Sequence, residues 1–310
     1  MTRRAGRGRL LRVIEMSPWA ATAVTHVERA AHGSPLDPAL RVTLNFHPDR
    51  SQRGIPILRA MATDGTYRSQ FETGTSNGGL TAHPGGDRWV WEQRIFGGAY
   101  DAAPDRERPK YGALNHRQRP VGGAPRFGSA YLRLTRDTLA RTTFCYPDSV
   151  FEPDLVATSR RFDLAAQADA DLAQGRVDDL DSYVEAHVHG LLDLGRDVEA
   201  LVLDPAFRDT EVERAANELP CAIEWHEGFR LRLDTVRAHP DYRGAHVVAL
   251  AEAVAVDGWL DPSVIGRSAA AGGHDLRTLK QVWHHVARFG APDRDELRRR
   301  TPSSGSSVEG

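Results

Sequence analysis

The sequence predicts an α+β fold. Two observations carry this: apolar residues alternate at period two in short runs, and irregular stretches of helical spacing separate those runs, without the steady rhythm of a parallel α/β sheet. No internal repeat interrupts the pattern. Residues 1–16 read as a basic, disordered tail. In Ser17–His32, Trp19, Ala23, Val27, Ala30 and Ala31 fall near helical spacing, with Ser17-Pro18 as cap and first-turn proline. Arg41–Phe46 alternates as a strand and stops at His47-Pro48. Ile55–Ala62 reads as a short helix closed by Asp64-Gly65, and Tyr67–Phe71 as a strand. Thr73–Gly79 is too glycine-rich for a regular element and reads as an ordered loop. Asp87–Phe96 is a helix burying Trp89, Trp91, Ile95 and Phe96, and Asp101–Pro109 is a polar loop. Tyr111–Leu114, Phe127–Leu134 and Thr142–Phe144 read as short strands, and 151–182 as polar helix and loop.

Tyr183–His189 alternates strictly, with Tyr183, Glu185, His187 and His189 on one face and Val184, Ala186 and Val188 on the other. Val198–Leu203 is a second apolar strand, Cys221–Leu233 holds a further strand or hairpin, and the rest is helical to about Phe289. The chain thus divides into a core over 17–235, a helical region over 236–297 and a Ser/Gly-rich, disordered tail over 298–310.

Composition narrows the function classes. The chain has 310 residues, 40% hydrophobic and 26% charged, ordinary for a soluble globular protein with a large core. No apolar run approaches the roughly 18–20 residues of a membrane helix. No apolar stretch of roughly 7–15 residues follows the basic start, so a secretory signal is not expected. The cytoplasm is the default location, with a signal-independent secretion route left open. The two cysteines, Cys145 and Cys221, make neither a disulfide framework nor a zinc ribbon, and Cys145 reads as a core residue. A net charge of −2 gives no general attraction to nucleic acid, and Arg117, Arg119 and Arg126 read as a solvated loop. His284-His285 are helical neighbours that diverge by about 100° and make no natural ligand pair.

Three segments carry candidate chemistry. The plain reading of the Glu185 strand is a half-exposed strand with a wet polar face. The alternatives are metal ligation by His187 and His189, which point the same way, completed by His47, Asp49 or His83; general acid-base work by Glu185; or stabilisation of a developing positive charge by Glu185. Phe46-His47-Pro48-Asp49-Arg50 sets imidazole, carboxylate and guanidinium at a strand end, where sites are commonly built. Gly74–Gly79, with Ser76 and Asn77, offers backbone N–H groups that suit phosphates, without a P-loop or dinucleotide fingerprint.

The order of elements from about Val42 to Leu203 resembles the ADP-ribosyltransferase superfamily of bacterial toxins and related intracellular enzymes. The resemblance rests on Thr43-Leu44-Asn45-Phe46-His47, on the helix and glycine turn of Ile55–Gly65, on Arg141-Thr142-Thr143-Phe144 followed by Asp148-Ser149, and on Tyr183–Gly190 with Val198–Val202. Phe-Glu-Thr-Gly-Thr-Ser-Asn-Gly-Gly, Lys-Tyr-Gly-Ala-Leu-Asn and Arg-Phe-Gly-Ser-Ala-Tyr also resemble an uncharacterised bacterial protein family. The superfamily resemblance implies a split, mostly antiparallel sheet core with flanking helices. It implies NAD as co-substrate and transfer of ADP-ribose to a protein or nucleic-acid acceptor, with an inhibitory partner protein left open. Glu185 would then be catalytic, His47 would orient a ribose, Arg50 would meet the pyrophosphate, Thr142 or Thr143 would support Glu185, and Tyr111 would stack on the nicotinamide. Ser76 and Asn77 join the cofactor-binding set. Tyr183 stands where arginine-modifying members carry a second acid, so arginine is not the favoured acceptor. The competing expectations are a metal-dependent hydrolase or nuclease using His187, His189 and His47 or Asp49, and a non-enzymatic module that binds a phosphorylated ligand.

Overall fold

A computed structural model describes residues 16–74 and 80–290; the expected tails, Met16 apart, lie outside the described residues. The architecture is α+β, built on an eight-stranded sheet. Its strands in chain order are β1 (Val42–Phe46), β2 (Lys110–Leu114), β3 (Ala130–Leu134), β4 (Thr142–Tyr146), β5 (Leu155–Thr158), β6 (Val184–Val188), β7 (Val198–Leu203) and β8 (Ala222–Trp225). They lie side by side as β8-β7-β3-β1-β2-β6-β4-β5. Within this sheet every pairing is antiparallel except that of β7 with β8, where the turn of helix Glu211–Ala216 supplies the crossover a parallel pair needs. The longer flanking helices are α1 (Pro18–Ala30), α2 (Ile57–Asp64), α3 (Asp87–Phe96), α4 (Leu164–Ala173), α5 (Ala245–Val254), α6 (Pro262–Ala271) and α7 (Leu276–Phe289).

Alternation along the strands decides what enters each layer. Leu44, Phe46, Leu114, Phe144, Val184, Ala186 and Val188 share the large core with Leu58 and Met61 of α2 and Leu164 of α4. The opposite face of the central strands carries Tyr111, Thr143, Cys145, Glu185, His187 and His189. Helices α1 and α3 cover its β4 end with Ala23, Val27, Trp91 and Phe96. All five residues of β6 are therefore buried. The half-exposed strand with a wet polar face does not form, because both of its faces are roofed.

Three local readings differ from the structure. Only Thr66–Tyr67 is strand, whereas Phe71 sits in the helical turn Gln70–Thr73. A capping box starts that turn: Ser69 Oγ accepts from the Glu72 N–H at 3.2 Å, and Glu72 Oε2 accepts from the Ser69 N–H at 2.7 Å. Strand β5 lies inside the stretch read as helix and loop; it is an edge strand whose Leu155 stays exposed, so its burial pattern carries little period. Phe127 belongs to the turn Pro125–Phe127, and β3 starts only at Ala130. Between them Gly128, at φ +155°, passes so close to β1 that a Cβ would lie 2.0 Å from the Phe46 carbonyl carbon. Gly128→Ala is expected to destabilise the fold by more than about 3 kcal/mol, read as a lower guanidinium midpoint at unchanged slope.

Helices α5, α6 and α7 surround a second core that also takes in Val121, Leu180, Phe229 and Leu231. It is fastened to the sheet by Trp283, whose indole N–H donates to the Pro125 carbonyl at 3.0 Å. The same ring meets His47 edge-on, with centroids 5.1 Å apart, so α7 roofs the end of β1. No helix among the described residues is long and apolar enough to cross a membrane.

Candidate active site

Strands β1 and β2 pair only at Val42↔Leu114 and Thr43↔Ala113. Beyond those positions β1 stays with β3 and β2 with β6. Where they part lies a cleft of about 760 Å³, within the usual range for small-molecule sites of roughly 300–1,000 Å³. One lip carries Asn45, Phe46 and His47, the other Lys110, Tyr111 and Gly112, with Leu276 and Lys280 of α7 contributing to the wall.

Glu185 lies in this lining, 5% exposed. Its Oε2 accepts from the Ser149 backbone N–H at 3.3 Å and the Ser149 hydroxyl at 3.0 Å, and its Oε1 from His187 Nε2 at 2.9 Å. Arg88, 3% exposed, donates to Ser149 Oγ at 2.8 Å, so a guanidinium backs the carboxylate through one hydroxyl. Burial works to raise the Glu185 pKa, but His187, Arg88 and Ser149 outweigh it and hold the group below the ordinary carboxylate range. The neighbouring Asp148 is pushed the other way, by burial and by the charge of Glu185. It accepts from the hydroxyl of Tyr183.

Behind Glu185 runs a buried hydrogen-bonded chain. Thr143 Oγ1 lies 3.1 Å from His187 Nδ1 and 2.9 Å from His189 Nε2, and Tyr100 Oη lies 2.6 Å from His189 Nδ1. With Glu185 ionised, His187 must carry its proton on Nε2, and one consistent order of donors follows. Tyr100 donates to His189 Nδ1, His189 Nε2–H to Thr143, Thr143 to His187 Nδ1, and His187 Nε2–H to Glu185. Every partner is satisfied in this order, and burial holds His189 well below the ordinary histidine pKa. Thr143→Val keeps the shape and strands a nitrogen on each ring. A loss of about 1–3 kcal/mol is expected, with altered ring-nitrogen NMR shifts at both histidines.

A second buried network fixes Tyr111. Its hydroxyl donates to Glu92 Oε1 at 2.9 Å, and Arg88 lies over its ring at 3.9 Å. Glu92 Oε2 accepts from Arg108 Nη1 at 2.6 Å, and the Arg108 guanidinium lies between the rings of Phe71 and Trp89. Burial lifts the Glu92 pKa to about 7 against the pull of Arg108. Lys110 is tied to the carbonyls of Arg106, Arg108 and Gly190. Burial, with Arg50 and Lys280 nearby, pushes His47 down to about 3, so its imidazole is neutral at pH 7.

Of the residues expected at the site, Glu185, His47, Arg50 and Tyr111 line one cleft. Thr143 reaches Glu185 only through His187. Thr142 is not at the site: one residue out of phase, it turns to the other face and donates to the Thr138 carbonyl at 2.8 Å. The hydroxyl that holds the glutamate is instead Ser149. Ser76 and Asn77 lie outside the described residues. His189 has both nitrogens engaged within the chain, and Asp49 packs against Gly266 of α6. Among the described residues, metal-capable atoms gather at Cys145, Glu185 and His187, a set without His189, His47 or Asp49. Arg117, Arg119 and Arg126 pair with Asp169, Asp179 and Asp181, so they form no free basic patch.

Sequence reasoning missed Arg88 and Glu92, and named Asp148 and Ser149 without giving either a role. The signal for the first two was present, since Arg88 and Glu92 stand four apart on the apolar face of α3 beside Trp91 and Ile95. A family model described as a protein of unknown function (DUF3626) matches residues 41–173 and 164–289. No curated protein matches the chain.

Proposed function

The chain belongs to the DUF3626 family, and for this member we propose that it cleaves the nicotinamide–ribose bond of NAD and transfers ADP-ribose to a protein or nucleic-acid acceptor. The observation that carries this reading is the delivery of His47, Tyr111 and Glu185 from β1, β2 and β6, neighbours in the sheet, to one cleft. The parting of β1 from β2 supports this reading, since the superfamily resemblance implies a split sheet.

The chemistry suits these residues. Nicotinamide leaves as a neutral base and needs no proton, so one carboxylate suffices where a glycosidase generally uses two. Positive charge develops on the ribose, and the ionised, pre-oriented Glu185 answers it. Reorientation costs nothing at that moment, because Ser149 and His187 already fix both oxygens. A neutral His47 can hold a ribose hydroxyl without adding positive charge where positive charge forms. Arg50 in the lining suits a pyrophosphate, which a guanidinium group binds bidentately. Arg88 and Glu92 hold the Tyr111 ring in place as a wall against the planar base.

The test is nicotinamide release from NAD by the purified full chain with chelator present, and with bacterial lysate as acceptor source. Label from the adenine moiety appearing on a macromolecule identifies transfer. Release without such labelling identifies hydrolysis.

A further inference from the structure

We propose that Cys145, Glu185 and His187 form a zinc site whose occupation withdraws Glu185 from its chemistry. The three donor atoms lie within 4.8 Å of one another and are buried. Cys145 stands directly opposite Glu185 across the β4–β6 ladder, and His187 follows two residues on, on the same face. The decisive feature is that Cys145 Sγ, at 3.8 Å, and Glu185 Oε1, at 2.9 Å, approach the same nitrogen, Nε2 of His187. A nucleophilic cysteine needs its imidazole between thiol and carboxylate, one on each nitrogen. Here Nδ1 is held by Thr143 instead. Three donor atoms this close to one another can share one ion.

Thiolate, imidazole and carboxylate together suit zinc, and three protein ligands leave a fourth position open. Of the three ligands, Glu185 is the one that lines the cleft. Thr143 on the far nitrogen of His187 and Ser149 on the far oxygen of Glu185 are the outer hydrogen bonds that orient metal ligands. Arg88 opposes the ion from behind Ser149, while the thiolate and carboxylate balance its two charges.

The protons balance. The Cys145 S–H proton leaves to solvent. His187 gives up Nε2 and carries its proton on Nδ1, so the chain reverses: His187 donates to Thr143, Thr143 to His189, and His189 to the Tyr100 oxygen, whose own hydrogen turns away from the ring. One proton is released per ion. A metal-bound Glu185 no longer offers its charge to the ribose. That consequence rests on the proposed function; the site itself does not.

The experiment is titration of the metal-free full chain with Co²⁺, in the wild type and in Cys221→Ser. With two cysteines in the chain, a sulfur-to-cobalt charge-transfer band in Cys221→Ser comes from Cys145. The expected result is that band at one equivalent in both proteins, its displacement by Zn²⁺, release of one proton per ion, and loss of the band in Cys145→Ser. One equivalent of Zn²⁺ should cut nicotinamide release at least tenfold. A spectrum without the sulfur band in Cys221→Ser overturns the site, whether or not Cys145→Ser folds. If NAD is never cleaved, the cobalt spectrum still decides the site independently.

Discussion

Glu185→Gln should lower nicotinamide release from NAD on the order of 10²–10³-fold while the protein stays folded. The substitution keeps the volume and removes the charge. The amide oxygen can still accept from Ser149, whose hydroxyl and N–H both point at Oε2. The amide NH₂ then faces His187 Nε2, which must become an acceptor. The chain through Thr143, His189 and Tyr100 permits that by reversing every donor, which leaves only the Tyr100 O–H to turn away from His189. The loss therefore reports charge, not collapse, and should fall on kcat with KM little changed, the pattern of an interaction made only in the transition state. Circular dichroism and thermal melting of the variant check the fold.

Glu92→Ala should destabilise the protein by about 3–5 kcal/mol, the largest single loss we expect outside glycine positions. Arg108 is 1% exposed and cannot shed its proton, so removing Glu92 leaves a buried guanidinium with the Tyr100 carbonyl at 3.0 Å, the flanking rings and only the longer contact to Asp105 at 3.9 Å. It also frees the Tyr111 hydroxyl, so activity should fall with stability. The pH dependence has a fixed sign. The folded-state pKa is raised from 4.5 to about 7. The native state thus holds a proton across that interval that the unfolded chain releases, and the stability contributed by this group is lost as pH rises from 4.5 to about 7. Glu92→Gln, which cannot titrate, removes that fall. Its stability relative to wild type should improve across the same interval, measured by denaturant unfolding at each pH.

The sheet was legible where one face of a strand was apolar, because period two survives burial of either face. This held for β1, β2 and β7, and most usefully for β6, whose alternation set Glu185, His187 and His189 apart from the core residues. The same alternation did not reveal that the polar face is itself buried, since that depends on α1 and α3 arriving from distant parts of the chain. Strand β5 escaped notice because an edge strand need not bury Leu155. At the site, Glu185, His47 and Arg50 were readable as residues at a strand end or on a polar strand face, and Tyr111 through the superfamily resemblance. Ser149 and Arg88 were not, because their roles arise from a turn and a helix folding onto β6. Of the two alternatives Thr142 and Thr143, the sequence left the choice open, and one position on a strand puts Thr142 on the opposite face.

The most direct measurement is nicotinamide release from NAD by the full chain in chelator, alongside Glu185→Gln. Wild type is expected to release nicotinamide, with a fall on the order of 10²–10³-fold in the folded variant. If NAD is neither bound nor cleaved with bacterial lysate present, or if the variant releases nicotinamide as fast as wild type, the assignment of Glu185 to this chemistry is wrong.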